Sequence, residues 1–140
     1  MMIPQVARPM HRPLQPVGWA RPAGYANGVV ARGRTIFLAG QVGWNAEGRF
    51  ESDDLVAQIA QALRNVAAVL ACEGAGPEHI TNLVWYFIDK GEYVNRLPEV
   101  GKVYRGVMGK NFPAMTAVQV SALIEDRAKV EIQATAVLPD

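Results

Sequence analysis

One cysteine in 140 residues, Cys72, leaves no partner for an intramolecular disulfide and no set of thiolates for a cysteine-rich metal site. Zinc is not indicated, and no other cofactor is either. Cys72 falls at the end of an apolar helical stretch and reads as a core residue. Histidine is nearly as scarce. His11 stands in a proline-rich segment and His79 in a Gly-Pro-Glu-His turn, so the two suggest surface side chains and no ligand pair. No apolar run approaches the roughly 20 residues that span a bilayer, and the N-terminus lacks the apolar stretch of about 7–15 residues that marks a signal peptide. These absences point to a soluble, cytoplasmic protein with no membrane partner. The net charge of +1 is too small to argue for a polyanionic partner. Acidic residues are missing from positions 1–46, which carry Arg8, Arg12, Arg21, Arg32 and Arg34. These arginines are interleaved with proline rather than with aromatics, which favours a solvated surface over nucleic-acid binding. Gly40 and Gly43 are too sparse a pair for a phosphate-binding loop.

The remaining chain is half hydrophobic, enough for one domain with a sizeable core. Residues 1–20 contain Pro4, Pro9, Pro13 and Pro16 and read as an extended basic arm, with Trp19 available to dock it. The domain proper then occupies residues 21–140. Gly28–Ala31 and Thr35–Ala39 are short strand-like runs joined by Arg32-Gly33-Arg34, the pattern of a tight hairpin with Gly33 at positive φ. Gly40-Gln41-Val42-Gly43-Trp44 follows as a glycine-punctuated bend that could border a site. Ser52 caps a helix in which Leu55, Val56, Ile59, Leu63, Val66, Val69 and Leu70 recur at helical spacing, with Gln58, Gln61 and Arg64 on the outer face and Gly74 as a stop. Ile80–Ile88 has the composition of a central strand buried on both sides. A second helix carries Tyr93, Leu97, Val100, Tyr104, Val107 and Met108, with Pro98 starting or kinking it and Gly109 ending it.

The last third alternates with period two over residues 112–120 and again over 129–137. A short charged link, Leu123–Ala128, suggests that these strands form an antiparallel hairpin, which would place Met115 and Glu131 on one face. The element order gives an α+β domain, with two helices on one face of a single mixed sheet. The other face, expected to hold Trp85, Met115, Ala117, Glu131 and Gln133, would have no cover within the chain. That predicts a closed homo-oligomer with ligand clefts between subunits.

Pro22-Ala23-Gly24-Tyr25, Leu38-Ala39-Gly40-Gln41, the helix from Gln58 to Leu70 with Asn65, Pro113-Ala114 and Val130-Glu131-Ile132-Gln133-Ala134 together resemble the reactive intermediate deaminase family, also called Rid, YjgF or L-PSP. The resemblance runs from about Arg21 to Pro139. It implies a chorismate-mutase-like fold, a homotrimer, small-molecule clefts at the subunit interfaces, and hydrolysis of amino-acid-derived enamines or imines to a keto acid and ammonia without metal or cofactor. Other members of the family are described as endoribonucleases or translation inhibitors.

By the same resemblance, Glu131 matches the acidic residue that positions water and moves protons, and Tyr25 matches a cleft-lining tyrosine. Gln41 and Trp44, in the glycine-punctuated bend, either border the site or serve only as turn residues. Two positions depart from the pattern. Met115 stands where active deaminases carry the arginine that grips the substrate carboxylate, and Gly101 stands where they carry an asparagine. A thioether cannot bind a carboxylate and suits an apolar group instead. The departures imply weak or no activity on simple imino acids, with Met115 lining the cleft. A substitute cation could come from Arg21, Arg32, Arg34 or Arg105. The alternatives are a non-catalytic trimer that senses or carries a small ligand and, last, an RNA-directed activity, for which no stacking platform or base-reading motif is visible.

Overall fold

The computed structural model describes residues 11–140; the first ten residues of the arm, with Pro4, Arg8 and Pro9, lie outside the described residues. In chain order the elements are strands β1 (His11–Leu14), β2 (Gly28–Ala31), β3 (Arg34–Phe37) and β4 (Gln41–Val42), helix α1 (Leu55–Ala71), strand β5 (Ile80–Phe87), helices α2 (Lys90–Asn95) and α3 (Leu97–Met108), and strands β6 (Ala114–Gln119) and β7 (Val130–Leu138). The main sheet has the order β3-β7-β5-β6, with β4 also paired to β7, and β1 and β2 form a separate ribbon. It is mixed, because β5 runs parallel to β6 and antiparallel to β7.

This order corrects both expected hairpins. β6 and β7 are not neighbours, since β5 lies between them and pairs with each. Parallel strands need a crossover, and α2 and α3 supply it on the way from β5 to β6. The charged link after β6 therefore spans the width of one strand instead of turning back. Likewise β2 pairs with β1 and β3 with β7. Gly33 sits between them at φ 144°, where a Cβ would come within 2.2 Å of the Leu138 carbonyl oxygen. The bend is thus pressed on the end of β7, which only a glycine allows.

Cross-strand partners share a face, so the register fixes what looks where. Met115 pairs with Leu83, and Leu83 with Ala134. Val118 pairs with Tyr86, and Tyr86 with Glu131. Met115 and Glu131 therefore point to opposite sides of the sheet, contrary to the expectation that they share one. The Met115 side is the core side. Trp85, Phe87, Val130 and Ile132 are buried there against Leu55, Ile59, Leu63 and Val66 of α1 and Val100, Tyr104 and Met108 of α3. Both main helices cover this face, as the amphipathic patterns required. Trp85 belongs to the covered face and not to the open one. The open face carries Val84, Tyr86, Thr116, Val118, Glu131, Gln133 and an 80% exposed Phe37. β5 is central as expected but fully buried on one face only.

Asp54, not Ser52, is the N-cap of α1, accepting from Ala57 N at 3.0 Å. Val69, expected inside, is exposed. Gln58, expected on the outer face, is buried. Its Nε2 donates to the Ser52 and Arg127 carbonyls at 3.0 Å each, and its Oε1 accepts from Lys129 N at 2.8 Å. The amide thus ties the link before β7 to the first turn of α1. Cys72 is exposed rather than core, because it falls at the C-cap, past the last buried turn. His79 is buried rather than on the surface, with Nδ1 accepting from Gly76 N at 2.9 Å, and His11 Nε2 lies 2.8 Å from the His79 carbonyl oxygen. Trp19, expected to dock the arm, is 63% exposed.

Candidate functional site

A pocket of about 550 Å³ opens between the end of the covered sheet face and α3. Three elements converge on it. A hydrogen bond from Ala26 N to the Pro113 carbonyl at 3.0 Å and a parallel bridge from Ala26 to Ala114 hold the Ala23–Tyr25 segment beside the start of β6. β6 contributes Met115 and Ala117 and β5 contributes Trp85. The third wall is α3, with Val100, Gly101, Tyr104 and Arg105. α3 starts with Pro98 in its first turn, and Arg96, between α2 and α3, is held by Asp54 at 2.5 Å and Glu99 at 2.6 Å, which ties that end of α3 to the start of α1.

The walls are mostly aromatic. Trp85 lies 6.2 Å from Tyr104 and 6.4 Å from Tyr93 between ring centroids, and Tyr104 stacks on Phe112 at 5.7 Å. Burial raises the phenols of Tyr93 and Tyr104 above the usual tyrosine range, so both stay protonated at neutral pH. The Tyr104 hydroxyl donates to the Asn111 carbonyl at 2.5 Å and fixes the loop that leads to β6. Against these apolar walls stands one guanidinium, that of Arg105. The chemistry such a surface supports is binding of a small molecule with an apolar body and an anionic or acceptor group.

Of the residues singled out by sequence, Tyr25 and Met115 meet in this pocket. Glu131 lies elsewhere in the same chain. It pairs with Val42 and Tyr86, and its carboxyl packs over Gly40, where a Cβ would come 2.7 Å from Glu131 Cδ. Gly40 therefore leaves room for the carboxylate at the rim of the open face. Gln41 pairs in register with Ile132, next to Glu131, and its amide donates to the Ala39 carbonyl at 3.1 Å. Trp44 packs on Phe50 at 5.9 Å, and Asn65 holds the Val42 and Trp44 carbonyls at 3.0 and 2.8 Å. Glu131 and Gln41 thus adjoin each other, while Trp44 is anchored toward α1. The sequence reading did not place Trp85, Tyr104 and Phe112 at the site and named Arg105 only among four arginines. The spacing of Gly101 and Arg105, four residues apart on one helix face, was the available signal. Of the other three, Arg34 is engaged by Glu73 at 2.6 Å.

Comparison with known proteins gives consistent matches over most of the chain. The model of the family described as Endoribonuclease L-PSP matches residues 19–138. The human protein named 2-iminobutanoate/2-iminopropanoate deaminase is 30% identical over 105 residues, covering 74% of this chain and 73% of its own. Protein DfrA of Myxococcus xanthus is 34% identical over 109 residues, 77% of this chain and 79% of that one. Among solved structures, YyfB from Yersinia pestis, described as a protein of unknown function of the Rid family, superposes with a TM-score of 0.82 at 31% identity, over 92% of this chain and 99% of that one.

Proposed function

The chain belongs to the L-PSP family, which includes the Rid and YjgF proteins, and from that premise we propose that it binds a small imine or enamine in clefts between subunits of a homotrimer and hydrolyses its carbon–nitrogen bond. An enamine first tautomerises to the imine by moving a proton from nitrogen to its β-carbon; water then adds to the carbon of the C=N group, the C–N bond breaks, and the two protons of the water end on nitrogen, leaving a carbonyl compound and ammonia. Glu131 is the group that orients the water and moves the protons. The observation that carries this reading is the aromatic pocket holding Tyr25 and Met115, two positions at which the family resemblance expects a cleft.

In one chain Glu131 and this pocket lie on opposite faces of the sheet. The reading therefore needs a neighbouring copy to bring its open face, and with it Glu131, to the mouth of the pocket. The exposed Phe37 and Val118 on that face support such packing. Met115 removes the cation that would hold the carboxylate of a simple imino acid at the β6 position, so turnover of 2-iminobutanoate and 2-iminopropanoate is slow. The same observation favours a second reading, a trimer that binds its ligand without turning it over.

Release of ammonia and keto acid from imines generated in place separates the two. Acceleration that falls about 100-fold or more in Glu131→Ala supports hydrolysis. Rates equal to the spontaneous ones for small and bulky imines alike, together with thermal stabilisation by the matching keto acids, establish the binding module instead.

A further inference from the structure

Two polar groups at the α3 pocket lack partners among the described residues. The Arg105 guanidinium lines the pocket and makes no hydrogen bond or ion pair with any of them. Trp85 forms part of the wall and is only 2% exposed, yet its Nε1–H has no acceptor. Buried donors are nearly always satisfied, so this orphan sets the Trp85 wall apart from the rest of the core, and its indole reports on what the pocket holds.

Gly101 links the two observations. A glycine inside a helix weakens it relative to alanine, and α3 carries this one in mid-course. Helical side chains lean toward the N-terminus and lie over the residue four earlier. Here Arg105 does so, and a Cβ added at Gly101 would stand 3.2 Å from its Nη1, tighter than an ordinary contact. The missing side chain is the space in which the guanidinium lies. By the family resemblance a cation is expected at position 115 and an asparagine at 101; here Met115 and Gly101 stand there, and Arg105 of α3 lies over the same pocket.

We infer that Arg105 is the carboxylate-binding residue of this protein and that its ligand is a monocarboxylate with a bulky apolar, preferably aromatic, body. The guanidinium pairs with the carboxylate from the helix side. The apolar body lies on Met115, Tyr104 and Phe112, against the wall that Trp85 helps to form. Methionine at 115 is then a specificity device, filling with an adaptable apolar surface the place where a second cation would bind the carboxylate in another pose. A pocket of about 550 Å³ suits such a body better than a three- or four-carbon acid. This inference rests on the pocket proposed above as the ligand cleft, but not on turnover.

Binding of 3-phenylpropionate and of its neutral amide, followed by titration calorimetry and by the indole N–H signal assigned to Trp85 through Trp85→Phe, tests it. The acid is expected to bind at least tenfold tighter than the amide and to move the Trp85 signal. Arg105→Gln should remove that preference, bringing acid binding down to the level of the amide. Gly101→Ala keeps the arginine but crowds it, so it should weaken acid binding while the melting temperature holds or rises, which a folding defect would not produce. Equal affinity of wild type and Arg105→Gln for the acid, or no binding of either probe, overturns the inference. Arg105-dependent binding without any C=N hydrolysis would uphold it while the hydrolytic reading fails.

Discussion

Met115 and Glu131 flank the same central strand from its two sides and face away from each other: Met115 pairs with Leu83 on the covered face, Glu131 with Tyr86 on the open one. No side-chain rotation in a single chain brings them together. On the reading proposed above, the acid and the pocket form one site only if a second copy brings its open face to the pocket.

Assembly through the open face predicts a sharp response to charge there. Val118→Lys places an ammonium beside Tyr86, its partner in register, where a second copy would have to desolvate it. The trimer is expected to dissociate into monomers on light scattering, with the far-ultraviolet dichroism unchanged. A trimer that persists in this variant and in Phe37→Lys would place the interface elsewhere.

Introducing a cation on β6 predicts a gain. In Met115→Arg the new side chain enters the pocket beside Tyr25. The kcat/KM on 2-iminobutanoate should rise about tenfold or more, since a charge-assisted pair contributes roughly 1.5–3 kcal/mol. The gain should vanish in the double variant with Glu131→Ala. No gain would mean that substrate binds away from residue 115.

The buried Gln58 amide predicts a loss of stability without a role in chemistry. Gln58→Leu leaves Lys129 N and the Ser52 and Arg127 carbonyls without their present partner. Denaturant unfolding should show a loss of about 1–3 kcal/mol. A loss below about 0.5 kcal/mol would show that water replaces the amide freely.

Asp54 predicts a pH dependence. The hydrogen bond from Arg96, followed by that from Ala57 N, holds its carboxyl below the usual aspartate range. A depressed folded-state pKa gives stability that is present above the unfolded value and lost as pH falls through the folded one. The unfolding free energy of the wild type should therefore decline more steeply with acid below about pH 4 than that of Asp54→Asn, which keeps a capping oxygen without the charge. Asp54→Ala removes the cap as well and should cost about 1 kcal/mol at neutral pH. Parallel acid slopes in wild type and Asp54→Asn would show the pair to be screened by solvent.

Helices and strand limits were legible because each is written in one local period: Leu55 to Leu70 at 3.6 residues, Val130 to Ala136 at two. Alternation also correctly put Met115 and Ala117 on one side of their own strand. It says nothing about which strand lies next door, and a neighbour shifted in register inverts every face relation. That is why Met115 and Glu131 were misplaced relative to each other while each was placed correctly in its strand. Gln58 occupies a core phase of α1 but is polar, and its buried partners come from a loop about 70 residues away, so composition pointed it outward. Tyr25 and Met115 were found through family resemblance. Arg105 was named only among four arginines and Trp85 only on the sheet face; that they line one pocket becomes visible only once the helix lies on the sheet.

β7 comes last in chain order and pairs with β3, β4 and β5 at once. Until it arrives, β3 and β4 have no strand to bond in the main sheet. Closing the sheet joins Arg34 to Leu138, nearly the whole length of the domain. Loop closure on that scale precedes the contacts that reward it, so refolding should be slow for a domain of this size and completed in one late step. Unpaired edges are exposed until then, and refolding yield should fall as protein concentration rises.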